Sequence, residues 1–148
     1  SKRFLEEMVY ARFGSKEAFI DRMYISIEEF RIMRRAGMTL GVHCARHYPF
    51  DGDAAEYFVR EIAPCARFME EQFGVKPAWY TPPFGGGEKK DLMKASLEGI
   101  LLANGFKGAF TTTRGIIDDP ASFWLDRIDC KWIEDDIGKL AQMEKGNP

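Results

Sequence analysis

Short apolar segments alternate with amphipathic helical segments along most of this chain, and that alternation limits the folds open to it. Met38-Thr-Leu-Gly-Val42, Pro77-Ala-Trp-Tyr80 and Gly108-Ala-Phe-Thr-Thr112 each read as a short strand. Phe123 to Ile128 reads as a further one. Between the strands, apolar residues recur at helical spacing. One set is Ala54, Tyr57, Phe58, Ile62, Cys65, Phe68 and Met69; another is Leu92, Met93, Leu97, Ile100 and Leu101. Residues from about Asp135 to Met143 are expected to form a last helix. Such alternation builds βαβ units on a parallel sheet, whose sites gather in loops at the carboxyl ends of strands. The helix ends are marked as well. Ser15 caps a segment containing Ala18, Phe19 and Met23, after a first helix through Phe4, Leu5, Met8, Val9 and Phe13 that stops at Gly14. Ser26 and Glu29 have capping-box spacing, with Ile27, Phe30, Ile32 and Met33 predicted as the buried face behind them. Asp53 opens the helix that Gly74 closes, and Pro64 within it is expected to bend or split it.

Composition removes whole classes of function. The 148 residues include 20 aromatics and carry a net charge of only −2, which argues against intrinsic disorder and gives no basic footprint for nucleic acid. A chain of this length is one domain's worth, able to bury roughly two-thirds of its unfolded surface. No apolar run approaches the ~20 residues that span a bilayer, and no basic and apolar leader opens the sequence, so membrane partners are not expected and a cytoplasmic setting is favoured. Cys44, Cys65 and Cys130 are widely spaced and odd in number, which suits packed, reduced thiols better than a zinc ribbon or a disulfide framework.

Two loops hold unusual residues. The chain's only histidines, His43 and His47, lie four apart where the first strand ends. Were the strand to continue, four residues at ~3.3 Å each would part them by about 13 Å, too far for one metal to bind both. In a helical turn the axial separation falls to about 6 Å. A shared cation therefore requires the backbone to leave the extended conformation at His43. On residue type alone, two polar loop histidines flanking Arg46 are as good a description as a ligand pair. The second loop, Pro82-Pro-Phe-Gly-Gly-Gly87, turns the chain after Tyr80.

Met38-Thr-Leu-Gly-Val-His43-Cys-Ala-Arg-His47 resembles the second motif of the polysaccharide deacetylase (NodB-homology, carbohydrate esterase family four) domains, an apolar strand ending in His-Ser/Thr-x-x-His. Cys44 takes the Ser/Thr place. Trp79-Tyr-Thr-Pro-Pro-Phe-Gly85 resembles the third motif, with Thr81 where an Arg is frequent. A weaker match is Gly105 to Thr112 followed by Leu125-Asp-Arg127. The resemblance implies an α/β fold of parallel strands alternating with helices in a partial or distorted (β/α) barrel, as a single domain over residues 1–148. It makes His43 and His47 ligands of a divalent metal, usually zinc. It makes the Phe84 backbone N–H an oxyanion donor, with Arg127 near the groove and Trp79, Tyr80, Pro83 and Phe84 lining it, although aromatics beside a strand are more often core. The implied reaction is hydrolysis of N-acetyl or O-acetyl groups on a carbohydrate.

Two parts of the family pattern have no counterpart here. Only Asp21 precedes the histidines, without a partner, where the family has paired aspartates ending an opening strand; no histidine follows His47 to act as general acid. Asp51 or Asp53 could substitute as a third ligand; helix capping is the alternative for both and the favoured one for Asp53. The expectation is a domain lacking its first strand or strands, incomplete or inactive on its own, and forming a homo-oligomer across the exposed edge. The alternative is a non-catalytic domain that binds carbohydrate or metal through the remaining groove.

Overall fold

The computed structural model describes residues 2–130, so the expected helix at 135–143 lies outside the described residues. The chain divides into two compact units, residues 1–39 and 40–148.

The first unit is helical: α1 (Lys2–Phe13), α2 (Lys16–Met23) and α3 (Ile27–Arg35). Its caps form as the sequence dictates. Ser15 Oγ accepts the Ala18 N–H, and Ser26 and Glu29 exchange both bonds of a capping box. Phe13 and Phe19 meet edge to face at 5.2 Å, as do Phe19 and Tyr24 at 6.1 Å. The buried face predicted for α3 does not form. Phe30 and Met33 are half-buried, while Ile27 and Ile32 are exposed, because short helices of this kind do not enclose a core.

The second unit carries the sheet. In order come α4 (Ala54–Tyr57), a wide π turn (Phe58–Ile62), α5 (Ala63–Phe73), β1 (Trp79–Tyr80), α6 (Lys90–Ala103), β2 (Gly108–Arg114) and β3 (Trp124–Arg127). The strands are parallel in the order β1-β2-β3, with Tyr80 opposite Ala109 and Ala109 opposite Trp124. The fold class is thus α/β with a parallel sheet. Its described part is three strands, and closure into a barrel is not seen among them. Of the strand expected at Met38–Val42, only Val42 pairs. It receives no longer a partner because β1 is two residues long: Val42 N–H donates to Trp79 O at 2.8 Å and Thr81 N–H to Val42 O at 2.9 Å.

Pro64 splits its helix. It lies in the first turn of α5, where its missing N–H is tolerated, and just before it Ala63 N–H reaches Phe58 O, five residues back. Met93, Leu97 and Leu101 form a fully buried stripe on α6, packed with Val42, Tyr57, Ile62, Tyr80 and Ala109. This core fixes the ends of Val42 and β1, where the two loops begin.

Candidate metal centre

The first loop leaves the sheet immediately after Val42. The Ala45 N–H bonds to Glu61 O at 2.9 Å, drawing the chain towards the π turn. Cys44 Sγ accepts the His47 N–H at 2.7 Å, closing a tight turn of the kind a Ser or Thr side chain makes. Burial pushes the Cys44 thiol up, so it sits there as a neutral acceptor. His47 then adopts a left-handed backbone, φ 60°. The departure from extended geometry that a shared cation requires is present: the imidazole centroids of His43 and His47 are 4.8 Å apart. Two imidazoles on one ion at ~2.1 Å would have centroids about 5 Å apart, so the spacing fits.

The sheet also orients His43. Thr81, whose N–H bonds to Val42 O, receives His43 Nδ1 on its own carbonyl at 2.6 Å. A carbonyl only accepts, so Nδ1 carries the proton and Nε2 keeps the free lone pair. No shared-metal geometry is complete, because among the described residues no group of three His, Cys, Asp or Glu is placed to hold an ion. Asp51 is paired with Arg60, whose guanidinium holds its carboxyl below the usual range. Asp53 caps α4 through the Glu56 N–H at 2.9 Å. Neither carboxylate is free for the histidines. Asp21 sits on α2 in the first unit.

The second loop supplies the neighbouring wall. Pro82 and Pro83 are fully buried, and Phe84 follows with φ 53°, the residue 64% exposed. That ring meets His47 edge to face at 4.9 Å. His47 and Phe84 are the only non-glycine residues with positive φ among those described, and they touch. Strained backbone of this kind costs about 1–3 kcal/mol per residue and persists only where the surroundings enforce it. For Phe84 the following Gly85 permits it: a Cβ would lie 1.9 Å from Thr112 Oγ1 on β2, so the loop can approach the strand only without one.

The remaining expected groove residues are placed differently. Tyr80 is wholly buried and lends its hydroxyl to Tyr57, whose own donates to Tyr48 O at 2.9 Å. Trp79 stacks on Phe110 at 5.4 Å. Both therefore serve as packing, and Pro83 does so too; Phe84 alone of the four presents its ring beside the histidines. Arg127 is exposed at the end of β3, two strands or roughly 10 Å across from β1.

One residue was missed by the sequence reading. Glu61 is the one fully buried charged side chain among those described, and its carboxylate holds Arg46. The signal was available: Glu61 lies midway between Tyr57 and Cys65 on the apolar stripe, where a solvated acid has no place.

The comparisons with known proteins concern the family and the fold. The sequence profile of the family described as polysaccharide deacetylase matches residues 13–100, covering both loops. A structure of IcaB from Ammonifex degensii superposes with a TM-score of 0.62 at 19% identity, over 78% of this chain and 52% of that one. A de-N-acetylase from Aggregatibacter actinomycetemcomitans gives 0.55 at 14% identity, over 76% and 53%. At such identities the likeness shows the fold, and the chain spans about half the length of each. No curated protein sequence matches it. With more than half of its length matched by that profile, and both matched loops converging at the end of a parallel sheet, the chain belongs to the polysaccharide deacetylase family.

Proposed function

We propose that this chain supplies the metal-holding histidines and the oxyanion wall of a de-N-acetylase site acting on an N-acetylated polysaccharide. The observation that carries the reading is the cluster of His43, His47 and Phe84, with ring centroids 4.8 and 4.9 Å apart in sequence. The family description and the de-N-acetylase among the similar structures support the substrate class. Imidazole donors suit zinc, and a bound divalent ion supplies Lewis-acid polarisation of the acetyl carbonyl. The chain's own residues supply ligand orientation and oxyanion stabilisation. His43 offers Nε2 because Thr81 O fixes the proton on Nδ1. The Phe84 N–H, set by buried prolines before it, serves the developing oxyanion without reorganising, and its exposed ring is free to pack on a sugar face.

Asp51 and Asp53 are engaged by Arg60 and by the α4 N-terminus, so we assign neither as the base. The same engagement favours a second reading, a domain that binds cation and carbohydrate without turnover. His43→Ala and His47→Ala are each expected to abolish stoichiometric zinc binding in calorimetry, and tight binding that survives the double substitution refutes the assignment. Acetate release from chitooligosaccharides separates the two readings; for this chain alone we expect none. The exposed Phe4, Leu5, Met8, Ile20 and Met23 extend the proposal to self-association, which a concentration-independent monomer in sedimentation would exclude.

A further inference from the structure

We propose that Glu61 is a positioning residue for this centre, clamping the turn between the two histidines so that His47 meets Phe84; the inference rests on the metal-centre reading above. Every hydrogen bond that Glu61 makes to the loop falls on the two residues before His47. Oε2 accepts the Arg46 backbone N–H at 2.9 Å, Oε1 accepts Arg46 Nε at 3.0 Å, and Nη2 is ion-paired with Oε1 at 2.8 Å. Its main-chain oxygen accepts the Ala45 N–H at 2.9 Å. Together they hold both backbone donors and the guanidinium, which leaves the turn little freedom about where it delivers His47. Arg60 Nε is a second ion-pair partner, 3.4 Å from Oε1 without hydrogen-bond geometry, so the side-chain hydrogen bonds of Glu61 go to Arg46.

A stability role explains this poorly. A buried carboxylate is costly to desolvate, and an apolar pair of equal volume usually does as well or better for stability. What the pair adds is geometry, since one carboxylate oxygen takes the Arg46 backbone N–H and the other its guanidinium, which fixes orientation as well as distance. The π turn fits the same role. By displacing one hydrogen bond before Pro64 it places Glu61, carboxylate and carbonyl alike, opposite Ala45 and Arg46, and π turns are frequent at functional sites. The clamp and the histidines share one loop, so its effect on His47 is direct.

The test uses the full chain in two variants. Glu61→Gln removes the charge. Glu61→Gln with Arg46→Met removes both charges, leaving no unpaired ion if the single variant folds poorly. In the wild type without metal, nuclear Overhauser contacts are expected between the rings of His47 and Phe84 and between those of His43 and His47. In the double variant they should be lost while the thermal unfolding midpoint stays near that of the wild type. Zinc alone, titrated against a chromophoric chelator, should bind ten- to a hundredfold more weakly to either variant. Ring contacts that persist in the folded double variant, or zinc affinity within twofold of the wild type, overturn the inference. A wild type that shows the ring contacts but binds no zinc refutes the metal reading instead, leaving the clamp visible in the ring contacts alone.

Discussion

Phe84 and His47 adopt a backbone conformation that side chains avoid, and Gly85 makes the first of these possible. Because a methyl group there would enter the space of Thr112, and the residue's own φ is +64°, Gly85→Ala combines overpacking with backbone strain. The expected cost is about 2–4 kcal/mol of unfolding free energy. Urea denaturation measures it, and a loss under about 1 kcal/mol would mean the loop stands off from β2. His43 shows the opposite economy. Its ring is held by one bond to Thr81 O, continuing a ladder that Val42 and Thr81 had begun in the backbone.

At the scale of elements, Asp51 and Arg60 tie the loop after His47 to the π turn. The Arg60 hydrogen bond depresses the Asp51 carboxyl in the folded state. A group depressed in this way stabilises the fold above its unfolded pKa of about 3.9 and ceases to do so as pH falls through the folded value. Asp51→Asn should therefore lower neutral stability by less than about 1 kcal/mol, since exposed pairs contribute little, leave stability in strong acid unchanged, and flatten the acid limb between by the same amount. Urea midpoints across that range decide it. The elements themselves were largely legible in sequence. Ser26 with Glu29, Asp53 and Gly74 mark helix ends through local hydrogen bonding, which needs no tertiary knowledge. Val42 was harder, since strand length depends on what β1 offers across the gap. Spacing raised the histidine pair and the motif resemblance singled it out, whereas the apolar stripe could show that Glu61 is buried but not which distant loop it holds. Trp79 and Tyr80 look alike as aromatics, and only the sheet shows which contacts each makes.

For the whole molecule, every residue of the candidate centre lies in the second compact unit, between His43 and Phe84. The core beneath it contains Tyr57 and Tyr80, whose phenols burial pushes up. A group raised in the folded state keeps its stabilising share below its unfolded pKa, near 10 for tyrosine, and loses it as pH climbs further. These two of the chain's five tyrosines should ionise only as the fold opens, seen as a cooperative rise in tyrosinate absorbance above about pH 10. Tyr80→Phe should shift that rise to higher pH at a cost of about 1 kcal/mol or less, because its 3.4 Å bond to Tyr57 is long. Finally, the edge-to-face contact of His47 with Phe84 joins two loops that would otherwise fluctuate separately. Whatever settles one side lowers the entropy still to be lost on the other. On the proposed reading of the centre, ion and acyl group should accordingly promote each other's capture by one common factor, whichever arrives first.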